Sequence, residues 1–281
     1  MTDIPRESSR TILFQFVFFP LGIVVVAVGI FLLFGKLASD EQSIPDYLNE
    51  IRSGSKHERW QAAYQLSKSL KRGEAKRYPN LEEQVAAIYV ASKNDDPRIR
   101  RYLSMVLGTL GDRRATPLLV NGLADSDTDN RIYALMALGE LHDPAATPPV
   151  AILAGVEGDR DIRKAAFYAL GAIGDPRAVP VLVKGLDDEN ADVRWNAAVA
   201  LSRFGDRRAI PRLREMLDRS RLNLIKDMRE DQKEDAMIVA MSAYARLAGR
   251  EAQPDLQRLA TGDPSLRVQS EAKDALAHLP R

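Results

Sequence analysis

The 281 residues predict an all-α fold, a solenoid of stacked helix pairs behind one apolar N-terminal helix, and three observations carry that reading. Residues 11–34 run without a single charge. From Arg100 onward a fixed set of residue types recurs every 31 or 32 positions. Nowhere does the chain alternate apolar and polar residues with the period of two that a strand requires.

The apolar run comes first. Its sequence, TILFQFVFFPLGIVVVAVGIFLLF, holds six of the eight Phe residues. At 1.5 Å per residue, 24 residues reach roughly 36 Å, against a hydrocarbon core of about 30 Å. Gln15 and Pro20 are its only irregularities, and a membrane helix tolerates a Pro near one end. A cleavable signal peptide has an apolar core of about 7–15 residues and a small-x-small cleavage site. This run is longer, and Leu37-Ala38-Ser39 is a poor site. The segment therefore reads as a retained transmembrane helix between a tail at 1–10 and a linker at 35–45. Arg6 and Arg10 precede it, while Lys36 is followed at once by Asp40 and Glu41. The positive-inside rule then places the solenoid on the extracytoplasmic side of a single-pass membrane protein.

The repeat is read from Arg100, Arg131, Arg163 and Arg194. Each stands eleven residues before Gly111, His142, Gly174 or Gly205, twelve before an Asp (112, 143, 175, 206) and seventeen before a Pro (117, 148, 180, 211). Upstream, Arg59-Trp60-Gln61-Ala62-Ala63 matches Arg194-Trp195-Asn196-Ala197-Ala198, so a divergent first unit starts near residue 46. Downstream the marker falls on Met237, with Pro254 in step, and then on Gln269. Six repeats and a C-terminal half repeat thus fill residues 46–281. Within a unit, Ile162, Ala165, Ala166, Ala169, Leu170 and Ile173 share one helical face. Gly174 can end that helix in the left-handed conformation, and Asp175 and Pro176 suit the start of a short second helix.

The segment GAIGDPRAVPVLVKGLDDENADVRWNAAVALSRFGDRRAIPRL resembles HEAT repeats of the short variety named after phycobilin lyases. The resemblance covers about 46–281 and is strongest over 95–217. It implies a right-handed, armadillo-type superhelix that works as an interaction scaffold. The repeat consensus is structural, so it speaks for fold more than for function.

Composition narrows the chemistry. With no Cys, disulfides, thiolate metal sites and thiol nucleophiles are excluded. Forty basic and 39 acidic side chains leave no global field to draw an anionic partner. Asp129 with Arg131, Asp161 with Arg163 and Asp192 with Arg194 recur once per unit, as expected of caps and inter-repeat ties rather than of catalytic groups. His57, His142 and His278 lie in different repeats, and none has a second ligand at helical metal spacing. His57-Glu58 is the sole His-Glu dipeptide, whereas the HEAT-like deoxyhypusine hydroxylases use several to hold a di-iron centre. His142 replaces a turn Gly. The run from Gly29 to Gly35-Lys36 is one residue too long for a phosphate loop and is apolar throughout. No catalytic, cofactor-binding or metal-binding residue is assigned, no small-molecule substrate is expected, and the chain is not expected to be an enzyme.

What remains is an adaptor for another protein, expected to belong to an integral membrane complex. Two alternatives stand beside it. The family resemblance raises tetrapyrrole handling. The stretch 203–229 raises nucleic-acid binding, with nine basic side chains against four acidic ones, although its charge excess is local and acids follow directly. The place to look for a partner is where the period breaks. Arg194 to Met237 spans 43 residues, an insertion of about twelve around 218–234. There Leu222, Ile225 and Met228 recur every three residues, which suggests an extended second helix with an apolar stripe. Arg212, Arg219, Arg221, Leu222, Ile225 and Met228 are the candidate partner-binding residues, on a projection whose removal should leave the fold intact. The other long interval, Arg59 to Arg100, carries a solvated loop at 71–79.

Overall fold

The computed structural model describes residues 21, 23–30, 42–71, 73, 77–226 and 228–279. The chain divides into two units, Met1–Asp46 and Tyr47–Arg281. In the first, residues 21 and 23–30 are helical and exposed. Among the described residues no helix is long and apolar enough to cross a membrane. This corrects the expected single-pass localisation and, with it, the extracytoplasmic placement of the repeats: an uncharged run shows that a span is affordable, not that one forms. The rest of the 11–34 span, the 1–10 tail and most of the 35–45 linker lie outside the described residues.

Helix α1, Ile44–Ser53, crosses the division between the units. It takes up the end of the expected linker, since Ser43 and Asp46 bond each other across its first turn. Helix pairs follow. The first helices are α2 (Lys56–Ser69), α4 (Pro97–Leu110), α6 (Thr128–Leu141), α8 (Arg160–Ile173), α10 (Ala191–Arg203) and α13 (Glu230–Ala248). Their second helices are α3 (Leu81–Ala91), α5 (Thr116–Gly122), α7 (Thr147–Val156), α9 (Val179–Gly185), α11 (Ile210–Met216) and α14 (Gln253–Gly262). A single turn, α12 (Arg219–Leu222), intervenes before α13, and α15 (Leu266–Ala277) closes the array.

Local chemistry sets these boundaries. Each first helix from α4 to α10 ends its orphan amides on a short polar side chain: Asp96 accepts from the Arg98 N–H at 3.0 Å, Asp127 from Asn130 at 2.9 Å, Asp159 from Asp161 at 2.8 Å and Asn190 from Asp192 at 2.9 Å. The caps therefore sit two residues before Asp129, Asp161 and Asp192, which occupy first turns instead. Three of these helices end in the left-handed region, Gly111 at φ 73°, His142 at 48° and Gly174 at 76°; at the fourth, Gly205 (73°) stands one residue beyond the C-cap Phe204 of α10. The next residue, Asp112, Asp143, Asp175 or Asp206, caps a turn of 3-10 helix, and the period's Pro enters the first turn of the second helix, where it loses no hydrogen bond.

Packing follows from side-chain size. Successive first helices stack directly, and each second helix packs on the first helix of the next unit. At the stack Gly108 faces Ala137, Gly139 faces Ala169 and Ala172, and Gly171 faces Ala200. A Cβ on Gly171 would lie 2.9 Å from the Cα of Ala200, closer than carbon atoms pack. Fully buried Ile99, Leu103, Leu135, Leu138, Ile162, Leu170, Val193 and Leu201 fill the space between layers.

The marker arginines tie the layers together. Arg163 pairs with Asp188 at 3.1 Å and donates to the carbonyls of Glu157 and Gly158 at 3.2 and 2.9 Å. Arg194 does the same with Glu215 (3.3 Å) and the carbonyls of Asp188 and Glu189 (2.8 and 3.0 Å). Arg59 with Asp95, Arg100 with Asp125, and Arg131 with Glu157 at 2.9 Å continue the series. Each guanidinium holds a carboxylate near the end of its own unit's second helix, and those of Arg59, Arg163 and Arg194 also donate to carbonyls at or just beyond the end of a preceding helix. The marker arginines thus tie successive helices together.

Candidate functional site

The insertion does not project. Asp218 accepts from the Ser220 N–H at 3.1 Å and starts the single turn α12, whose Leu222 is fully buried. Arg219 then grips Asp263, in the loop before α15, with Nε and Nη2 at 3.0 and 2.7 Å, and Glu230 at 2.8 Å. Lys233 on α13 donates to Asn223 Oδ1 at 2.9 Å and to Glu230 at 2.6 Å. The segment is fastened to two following elements, so Leu222, Ile225 and Met228 never form the stripe of one extended helix. Leu222 is the anchor of the fold-back, and Ile225 and Met228 are half-buried in irregular chain beyond it.

That chain walls a groove. Its cavity of about 930 Å³ runs across α8, α10 and α13, with Lys164 and Tyr168 from the first, Trp195 and Val199 from the second, Val239 from the third, and Ile225 and Met228 closing one side. The floor is apolar and aromatic: Trp195 is 5% exposed, while Tyr168 and Val239 are 43% and 48% exposed. The indole N–H of Trp195 is buried and has no hydrogen-bond partner among the described residues.

Electrostatics sort the basic residues of 203–229 sharply. Arg207 pairs with Glu251, Arg208 with Asp206, Arg212 with Asp187 and Glu215, Arg214 with Asp255, Arg219 with Asp263, Arg221 with Asp218 and Arg229 with Asp231. Hydrogen bonds from its partner guanidinium hold the Asp206 carboxyl below the usual range, and the bonds Arg219 donates to the Asp263 carboxylate push its own pKa further up. Seven of the nine cations are therefore neutralised within the fold. Arg203 and Lys226 have no ion-pair partner among the described residues, and both line the groove.

Of the six residues singled out from sequence, the groove takes in Ile225 and Met228. Arg219 and Leu222 belong to the fastening. Arg212 also caps the Leu186 carbonyl at 2.8 Å, and Arg221 lines a separate 220 Å³ pocket beside Arg214 and Arg258. Tyr168, Trp195 and Arg203 were missed as candidates; their signal lay in the alignment of units, where Trp195 matches Trp60. The same alignment exposes a wider feature. Tyr64, Met105, Met136, Tyr168 and Val199 each stand five residues after a marker Arg, and none is fully buried. Tyr102 and Tyr133 extend this stripe sideways, with Tyr64–Tyr102 ring centroids 5.1 Å apart and Tyr102–Tyr133 6.4 Å apart. Arg98 lies 4.0 Å over the Trp60 ring and Arg101 5.7 Å over Tyr133.

The histidines serve local structure. His142 Nδ1 bonds the Ala172 carbonyl at 2.6 Å, His278 Nδ1 the Asp274 carbonyl at 2.7 Å, and His57 meets Trp60 edge-on at 5.4 Å.

Comparison with known proteins gives the family and the fold. The model of the HEAT repeats matches residues 85–170 and 151–226, together half of the chain. Among solved structures, the complex of CpcE and CpcF of phycocyanin lyase from Nostoc sp. PCC7120 is similar at a TM-score of 0.57 and 21% identity, over 86% of this chain and 96% of that one. YibA of Escherichia coli aligns at a TM-score of 0.51 and 17% identity, over 86% of this chain and 90% of its own. At these identities the likeness concerns the fold. A search of the curated proteins finds no match.

Proposed function

The chain belongs to the HEAT-repeat family, and from that premise we propose that it is a scaffold whose first-helix face binds another protein. One observation carries the reading: the unit-by-unit stripe Tyr64, Met105, Met136, Tyr168 and Val199, with Tyr102 and Tyr133 beside it, leaves large apolar side chains part-exposed in register along the array. Rigid aromatic and Met side chains lose little conformational entropy on contact and dominate protein interfaces. A repeat consensus that needed only stability would place polar residues at these positions, as it does on most of the surface. The reading assigns the chain no reaction.

Nucleic-acid binding has weaker support, because phosphate contacts need unpaired cations on several repeats and most of those in 203–229 are neutralised internally. Tetrapyrrole handling rests on fold likeness alone.

Photo-crosslinking tests the proposal. A photoreactive phenylalanine analogue placed at Tyr64 or at Met136, on the first-helix face, should yield protein adducts in cells. The same analogue at Val90 or Ile152, exposed on second helices, should not. Equal adducts from both faces, or adducts from the second helices alone, would refute it.

A further inference from the structure

We infer that the Glu82 and Asp112 carboxyls form a pH-sensitive latch between the first and second units, closed when Glu82 carries a proton and donates it to Asp112. The latch is independent of what the first-helix face binds. Further along the array the turn Asp meets a hydroxyl from the first turn of the preceding second helix. Thr116 Oγ1 donates to Asp143 at 2.7 Å, and Thr147, which begins α7, stands at the same place beside Asp175. At the first such junction that place falls to Glu82, in the first turn of α3. A carboxylate has no proton to give, so the link that a hydroxyl makes at any pH needs a carboxylic acid there.

Arg114 does not remove the need. Its Nε and Nη2 donate to Asp112 Oδ2 at 2.9 and 2.7 Å, and its Nη1 donates to Glu83 Oε1 at 2.8 Å. The same Nη2 lies 2.7 Å from Glu82 Oε2, which gathers both carboxyls around one nitrogen. Yet that Glu82 oxygen is buried and accepts no hydrogen bond among the described residues.

The surrounding charges favour the proton. Glu83 and Asp112 are negative, and Arg114 alone is positive. Arg113 of the same turn donates instead to the His142 carbonyl at 3.0 Å. On α4, Arg98, Arg100 and Arg101 are held by Asp96, by Asp125, and by Asp127 with Asp129. Lys93 follows the far end of α3, and Arg52 of α1 donates to Gln84 Oε1 at 3.0 Å. Burial and the Asp112 charge accordingly push the Glu82 pKa up, while the bonds from Arg114 hold Asp112 at about 2. A carboxyl raised in this way stabilises the fold fully below its unfolded pKa, near about 4.3, and loses that contribution as pH rises through the folded value.

In Trp195→Phe, Trp60 is the sole tryptophan, and it reports on this junction because Arg98 of α4 lies over its ring. Urea melts of the full chain, followed by that emission, compare the parent with Glu82→Gln, whose amide is a donor at every pH. At pH 7.5 the Gln variant should have an opening constant at least about threefold smaller than the parent, the equivalent of half a pKa unit. At pH 4.5 that advantage should disappear. No advantage at pH 7.5, or one that is the same at both pH values, would overturn the latch. The Glu82 carboxyl carbon shift, followed by NMR, reads the titration directly. Its midpoint should lie above about 4.3 in the parent and fall in Asp112→Asn, which removes the neighbouring charge. A parental midpoint at or below that value, or one that Asp112→Asn leaves in place, would overturn it equally.

Discussion

At single positions the turn between the two helices of a unit is where stability concentrates. His142 occupies a conformation that its counterparts leave to Gly, at φ 48°, and a non-Gly residue there costs roughly 1–2 kcal/mol. Its ring repays part of this by bonding the Ala172 carbonyl at 2.6 Å, across to the next unit. His142→Ala should therefore lose about 1 kcal/mol in denaturant melts, while His142→Gly, which exchanges the ring bond for backbone ease, should fall within about 0.5 kcal/mol of the parent. The Asp beside this turn position carries a pH signature. Hydrogen bonds from the Arg177 side chain and backbone hold Asp175 at a pKa of about 2, and those from Arg114 hold Asp112 at about 2. An unfolded Asp titrates near about 3.9. Because the folded values are depressed, the stabilisation is complete above about pH 4 and is lost as pH falls through about 2. Melts taken at pH 5, 4, 3 and 2 should show a shallower decline for Asp112→Asn/Asp175→Asn than for the parent, since Asn still caps but no longer titrates. Identical slopes would mean that these carboxylates titrate alike in both states.

Between residues and whole chain, helices differ in how much of them was legible. The pairs from α4 to α11 were, because Arg, Gly, Asp and Pro each impose a local conformation and their offsets repeat. The cap positions were misplaced by two residues: Asp127 and Asp129 both suit a first turn, and only the bond from the Asn130 N–H to Asp127 settles which one caps. The insertion was misread for a different reason. A spacing of three between Leu222, Ile225 and Met228 fits a helix, yet what shapes the segment is Asp263, 44 residues from Arg219 and unrelated to it by any local pattern. The groove likewise depends on side chains from three units, so Ile225 and Met228 were found while Tyr168, Trp195 and Arg203 were not. The fastening has a measurable worth. Asp263 is buried and Arg219 nearly so, and removing the cation would strand the carboxylate. Arg219→Met should cost roughly 2–3 kcal/mol. Deleting 219–231, which sequence alone marked as dispensable, should destabilise the chain further through loss of Leu222. A deletion that melts with the parent would show that α12 is an ornament on α11 and not a tie to α15.

Over the whole array each unit touches its neighbours and little else, which makes stability a sum of unit terms and junction terms rather than one global cooperation. The junctions are not alike. From α4 to α10 the first helices meet through Gly–Ala contacts, closest at Gly171 and Ala200. Beyond α10 the corresponding position is Ser202, and the α13 junction relies on the Arg246 bond to Ser202 Oγ at 3.1 Å and on the tied insertion. A Val at 171 would place carbon atoms against the Ala200 backbone and force α8 and α10 apart. In a one-dimensional array that wedge should uncouple the two sides instead of loosening everything. Hydrogen exchange on Gly171→Val should then show reduced protection in α10, α11 and α13, where the groove floor and its insertion lie, while amides of α4 and α6 keep parental rates. Since α8 supplies one side of the groove and α10 its Trp195 floor, the same variant should shift Trp195 emission, read in a Trp60→Phe background, before it loses helical signal. A uniform fall in protection from α2 to α15 would mean that the ion-paired arginines couple distant units, and the groove would then have to be treated as a property of the entire stack.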